Sequence, residues 1–138
     1  VVIGGATARV ISGDICGTTG PIQEISAQPL YVDLSLDAGA SFTQTIAPDH
    51  TVIAYVFDGE CHFGNRDDAV RSVCLAVLGM GDAVEIHSGS GVRLMLVSGR
   101  PFDEPIAPYG PFVMNNKAEI EQALRDLREG TFVDTMTS

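Results

Sequence analysis

The chain has 138 residues, with 8 Lys+Arg against 18 Asp+Glu, a formal net charge of −10 and an isoelectric point near 4.4. With 45% hydrophobic and 19% charged residues it has the composition of one folded domain, not of a disordered tail. Its few basic residues are scattered, which argues against a groove for direct nucleic-acid binding, and no apolar run reaches the ~20 residues that a membrane-spanning helix needs.

The opening Val1-Val2-Ile3-Gly4-Gly5 has no Met and no charged region ahead of an apolar stretch. No signal peptide is expected there, and sequence upstream is expected to be missing. Residues 8–11 start a series of short strands punctuated by Gly and Pro, the spacing of a sandwich or barrel. Residues 30–36 alternate strictly: Leu30, Val32, Leu34 and Leu36 share one face, while Tyr31, Asp33 and Ser35 share the other. That is the pattern of a half-buried antiparallel strand. A turn at residues 37–40 leads into a strand at 41–46. Residues 51–57 are apolar on both faces, as a strand buried between two layers would be.

Asp58-Gly59 then reads as a hairpin turn, with residues 60–63 as the return strand. Further strands are expected at 71–78, 83–87 and 91–97, giving eight or nine without an intervening helix. The fold class is all-β, an antiparallel double sheet. The chain end differs. Asn116 and Glu119 have capping-box spacing, and Ile120, Ala123, Leu124 and Leu127 form one helical stripe, closed by Gly130. One helix over 117–129 is expected to pack that stripe, and residues 134–138 are expected to fray.

Chemistry is sparsely marked. Cys16, Cys61 and Cys74 are odd in number and not closely paired, which favours reduced thiols in the cytoplasm over a secreted chain with one disulfide. Cys61 and His62 are neighbours on one strand and so face opposite ways, which disfavours a nucleophile–base pair. A mononuclear metal site from His50, His62 and His87 with Glu60 is one reading. The other, which the absence of any His-x-His or Cys-x-x-Cys favours, is three unrelated histidines at strand ends or on the surface. A barrel interior could also hold a small molecule, with Tyr31, Tyr55, His50, His62 and Arg93 as polar contacts. For Arg93 the alternative is an ion-paired or snorkelling side chain.

Three segments carry a resemblance: Gly99-Arg100-Pro101-Phe102-Asp103-Glu104-Pro105-Ile106, then Tyr109-Gly110-Pro111-Phe112-Val113-Met114-Asn115, then the capped helix from Lys117. Together with Leu36-Asp37-Ala38-Gly39, Tyr55-Val56-Phe57-Asp58-Gly59-Glu60 and Gly81-Asp82, they resemble the C-terminal half of the pirin family, over roughly residues 8–132. Pirins are bicupins, two tandem jelly-roll barrels. The resemblance therefore implies a single cupin-type antiparallel β-barrel at 8–114, a C-terminal helix at 115–130 and a tail at 131–138.

The resemblance also implies that iron, held by three histidines and a glutamate, belongs to an N-terminal cupin outside this chain. Anchored on Tyr55-Val56-Phe57-Asp58-Gly59-Glu60, that pattern's His-x-His positions fall on Thr45 and Ala47, and its third histidine falls near Phe63. No cofactor is then expected in this chain. It would be the structural and interaction half, with the N-terminal cupin of the same protein as its partner and self-association expected when it is alone. Family activities are iron-dependent opening of flavonols such as quercetin, or a transcription-cofactor role. A self-sufficient small-molecule or metal binder is the alternative.

Overall fold

The computed structural model describes residues 1–133; residues 134–138, where fraying is expected, lie outside the described residues. The chain forms two compact units, one over residues 1–101 and one from Phe102 onward.

The first unit is built from β1 (Val2–Ile3), β2 (Ala6–Ser12), β3 (Asp14–Ile15), β4 (Thr18–Thr19), β5 (Leu30–Leu36), β6 (Ser41–Thr45), β7 (Thr51–Phe63), β8 (Val70–Arg71), β9 (Cys74–Val77), β10 (Ala83–His87) and β11 (Val92–Gly99). Strand order is β1-β2-β5-β11-β7-β10-β6, with β8 and β9 along the other edge of β7, and every ladder is antiparallel. This is the expected double-sheet barrel. The alternation read at 30–36 is the observed β5, buried and half-buried by turns. Its inner residues Val32 and Leu34 meet Leu94 and Leu96 of β11 and Val56 of β7 in the core, all five fully buried.

Asp58-Gly59 is not a turn. β7 runs unbroken through it for 13 residues. The pairing with β11 shifts there, Leu94 facing Val56 while Arg93 faces Asp58, so Phe57 is the extra residue of a β-bulge. Gly59 takes a φ of +76° beside it. The bulge bends β7, so that its first half pairs with β9 and β11 and its last residues pair with β8 and β10. A glycine at positive φ serves a bulge as well as a hairpin turn. The local sequence is the same for both, and the long pairing with β11 decides between them.

The second unit holds β12 (Ala107–Tyr109) and β13 (Phe112–Met114), paired antiparallel, and α1 (Lys117–Glu129). The barrel strands end at Gly99, so residues 107–114 form a separate hairpin and not a barrel strand. The capping box is formed: the Glu119 N–H donates to Asn116 Oδ1 at 3.0 Å, and the Asn115 N–H donates to Glu119 Oε2 at 2.9 Å. Gly130, left-handed at φ 73°, closes the helix. Ile120 and Ala123 of the stripe are buried, but Leu127 is 55% exposed.

Candidate functional site

The most distinctive surface of the first unit is the outer face of its larger sheet. Register places two rows across β5, β11, β7 and β9: Tyr31–Val97–Ile53–Val77 and Asp33–Met95–Tyr55–Leu75. Seven of these eight side chains are apolar or aromatic, where a one-sided antiparallel sheet normally shows polar residues to water. Tyr55 is 40%, Leu75 57% and Val77 69% exposed. Contiguous exposed apolar surface of this kind marks a place where another body docks. The expectation that residues 51–57 are covered on both faces therefore fails on the outer side. Val52, Ala54 and Val56 are buried inside, while Ile53 and Phe57 are only half-buried and Tyr55 is open.

Of the proposed ligand contacts, Tyr31, Tyr55 and Arg93 fall on this outer face and not in the barrel. Tyr31 and Tyr55 are members of the two rows. Arg93 lies 3.7 Å from Asp33 and stacks its guanidinium 4.9 Å from the Phe57 ring centroid. It is thus an ion-paired, ring-stacked surface arginine. The one polar member of the rows, Asp33, keeps its Oδ1 buried without a hydrogen-bond partner. The barrel interior itself is filled by aliphatic side chains with Phe42, Phe63 and Cys61.

The four candidate metal ligands are not brought to one point, and among the described residues no three of His, Cys, Asp and Glu converge as a metal site. Glu60 is engaged by Arg71, whose Nε donates to its Oε2 at 2.9 Å. His62 and His87 are direct cross-strand partners. His50 precedes β7, at the strand end remote from His62, and its Nδ1 lies 3.5 Å from the Ser98 hydroxyl. His50 Nε2 is buried without a partner beside a hollow of about 180 Å³ that Asp14, Gln44, Thr45 and Ser98 help to line. Next to it, the hydrogen bond from Arg100 at 2.9 Å holds the Asp49 carboxyl below its ordinary range.

All three cysteines are free; Cys16 and Cys74 are exposed and Cys61 is fully buried. Burial pushes the Cys61 thiol up to about 11, because the thiolate would lose its hydration. At pH 8 the native chain is therefore expected to react with a thiol reagent at Cys16 and Cys74 only, with Cys61 labelling only after denaturation. Prompt native labelling of Cys61, read by peptide mass mapping, would contradict its placement.

Comparison with known proteins agrees with the fold. The family model of the pirin C-terminal cupin domain matches residues 31–133. Mouse pirin is 38% identical over 129 residues, covering 90% of this chain and 44% of that protein. A pirin-like protein of Caulobacter vibrioides is 35% identical over 130 residues, covering 94% and 46%. Among solved structures, a quercetin 2,3-dioxygenase from Acinetobacter baumannii superposes with a TM-score of 0.85 at 29% identity, over 96% of this chain and 46% of that one. The chain thus spans less than half the length of the relatives that it matches.

Proposed function

Because this chain belongs to the pirin family as its C-terminal cupin domain, we propose that it is the structural and interaction half of a bicupin. In this reading it docks on the N-terminal cupin of the same protein and leaves the chemistry to it. The observation that carries the proposal is the pair of apolar rows on the outer sheet face, with Tyr55, Leu75 and Val77 open to water. Covering such a surface with a second sheet stabilises by roughly 25 cal/mol per Å² of apolar area removed from water. The barrel interior supports the same reading. The buried side chains of its core, Val32, Leu34, Val56, Leu94 and Leu96 among them, are aliphatic or aromatic, and the Cys61 thiol is the single potential metal donor among them. Iron, and with it quercetin-type oxygenation or a transcription-cofactor role, is assigned to the N-terminal half.

Alone in solution the chain is expected to cover its open face with itself. Light scattering should report a dimer or larger species, and a hydrophobic dye should bind. Replacing both Leu75 and Val77 by Lys should return a monomer and suppress dye binding. It should barely move the thermal midpoint, since these side chains are already largely exposed. A wild-type chain that stays monomeric and binds no dye would overturn the reading.

A further inference from the structure

We propose that His62 and His87 form a surface site for one divalent transition-metal ion, on the outer face of the β7–β10–β6 part of the sheet. The two residues are 25 positions apart in sequence but stand directly opposite each other in register. Their neighbours Cys61, Phe63, Val84 and Ile86 are buried in the core, so both imidazoles point outward on the same face. The Gly64 N–H donates to the Glu85 carbonyl at 2.9 Å, which makes 64 and 85 a hydrogen-bonded pair. His62 and His87, two residues along, are a pair of the same kind, with Cα atoms about 5.5 Å apart. Side chains opposed in this way have Cβ atoms about 4.5–5.5 Å apart, within reach of a common ion.

The hydrogen bonds orient the rings for that task. His62 Nδ1 faces the Arg66 carbonyl oxygen at 3.2 Å. A carbonyl only accepts, so Nδ1 carries the hydrogen and the lone pair of the neutral ring is on Nε2. His87 Nδ1 lies 3.2 Å from the Ser41 hydroxyl. When it donates there, its Nε2 is likewise left bare. An outer N–H given to a carbonyl or hydroxyl, with the other nitrogen on the ion, is the usual setting of a metal-bound histidine.

Topology puts the two anchors on opposite flanks. Arg66 lies in the loop leading to β8, on the edge of β7 away from β10, and Ser41 lies on β6, on the edge of β10 away from β7. Each ring is therefore held by its Nδ1 from the side remote from its partner, and the Nε2 atoms share the space above the ladder. Glu85 is exposed on the same face, two residues before His87, and adds negative charge. Two imidazoles suit Zn²⁺, Ni²⁺ or Cu²⁺, with waters completing the coordination.

The site lies beyond the β7 bend from the apolar rows, so its test does not depend on the docking proposal. The tag-free chain is titrated with ZnCl₂ by calorimetry and by NMR of the imidazole resonances, alongside His62→Ala, His87→Ala and His50→Ala. One saturable Zn²⁺ per chain is expected, with the His62 and His87 resonances shifting together. Either single substitution should weaken binding at least tenfold, and His50→Ala should leave it unchanged. Both site residues are outside the core, so the variants should keep the wild-type thermal midpoint. No saturable binding, or binding that survives either His62→Ala or His87→Ala, would overturn the proposal.

Discussion

Replacing Gly59 by alanine is expected to cost more than about 3 kcal/mol of folding stability, a large part of the roughly 5–15 kcal/mol that a domain has. Two effects add. At a φ of +76° a Cβ crowds its own backbone, which costs about 1–2 kcal/mol. That Cβ would also stand 2.3 Å from the Gly91 carbonyl oxygen and 3.1 Å from Val92 Cα. These are backbone atoms at the start of β11, fixed by the ladder to β5 and β7, so neither can retreat without breaking strand pairing. Gly110 is the control. It has a φ of +56°, but a methyl group there would meet nothing within 4 Å, so Gly110→Ala should cost only about 1–2 kcal/mol. Urea unfolding of both variants separates the two effects. Equal losses would show that the β7 bend tolerates a side chain and that the close approach of Gly91 is not a constraint.

Leu94→Ala is expected to cost about 2–5 kcal/mol, the range for emptying a fully buried leucine position. Leu94 sits in the central strand of the larger sheet, facing Leu34 on one side and Val56 on the other. All three are fully buried, and strands on both sides are pinned by their ladders, so the walls cannot collapse into the void. Val113→Ala, at a side chain 65% exposed in the second unit, should shift the midpoint little. A Leu94→Ala loss as small as that of Val113→Ala would place Leu94 outside the packed core.

Elements fixed by local chemistry were legible in the sequence. The period-2 run at 30–36 is β5, and the Asn116–Glu119 spacing with Gly130 bounds α1 as observed. Resemblance supplied the barrel type and the family, because the Gly-Pro-Phe-Val-Met-Asn segment and the capped helix are specific strings. Features that depend on register were not legible. Phe57 becomes a bulge residue only when 13 residues of β7 are laid against β11. The apolar rows draw single residues from four strands, each of which looks ordinary alone. The signal was present in the doubly apolar run 51–57, together with the outward pairs Leu75/Val77 and Met95/Val97. His62 and His87 could be set side by side only through the β7–β10 ladder. The second unit shows the remaining gap: residues 107–114 lack a long alternating run, so nothing local separates a short hairpin from a last barrel strand.

In the proposed bicupin, the outer face of the larger sheet is the docking surface for the N-terminal cupin of the same protein. The direct measurement is to express that cupin separately, titrate it with this chain, and read complex formation by sedimentation, for the wild type and for the Leu75→Lys/Val77→Lys variant. Docking through this face predicts a one-to-one complex for the wild type and at least a hundredfold weaker association for the variant. Association that is equally tight with both chains, or absent with both, would contradict it.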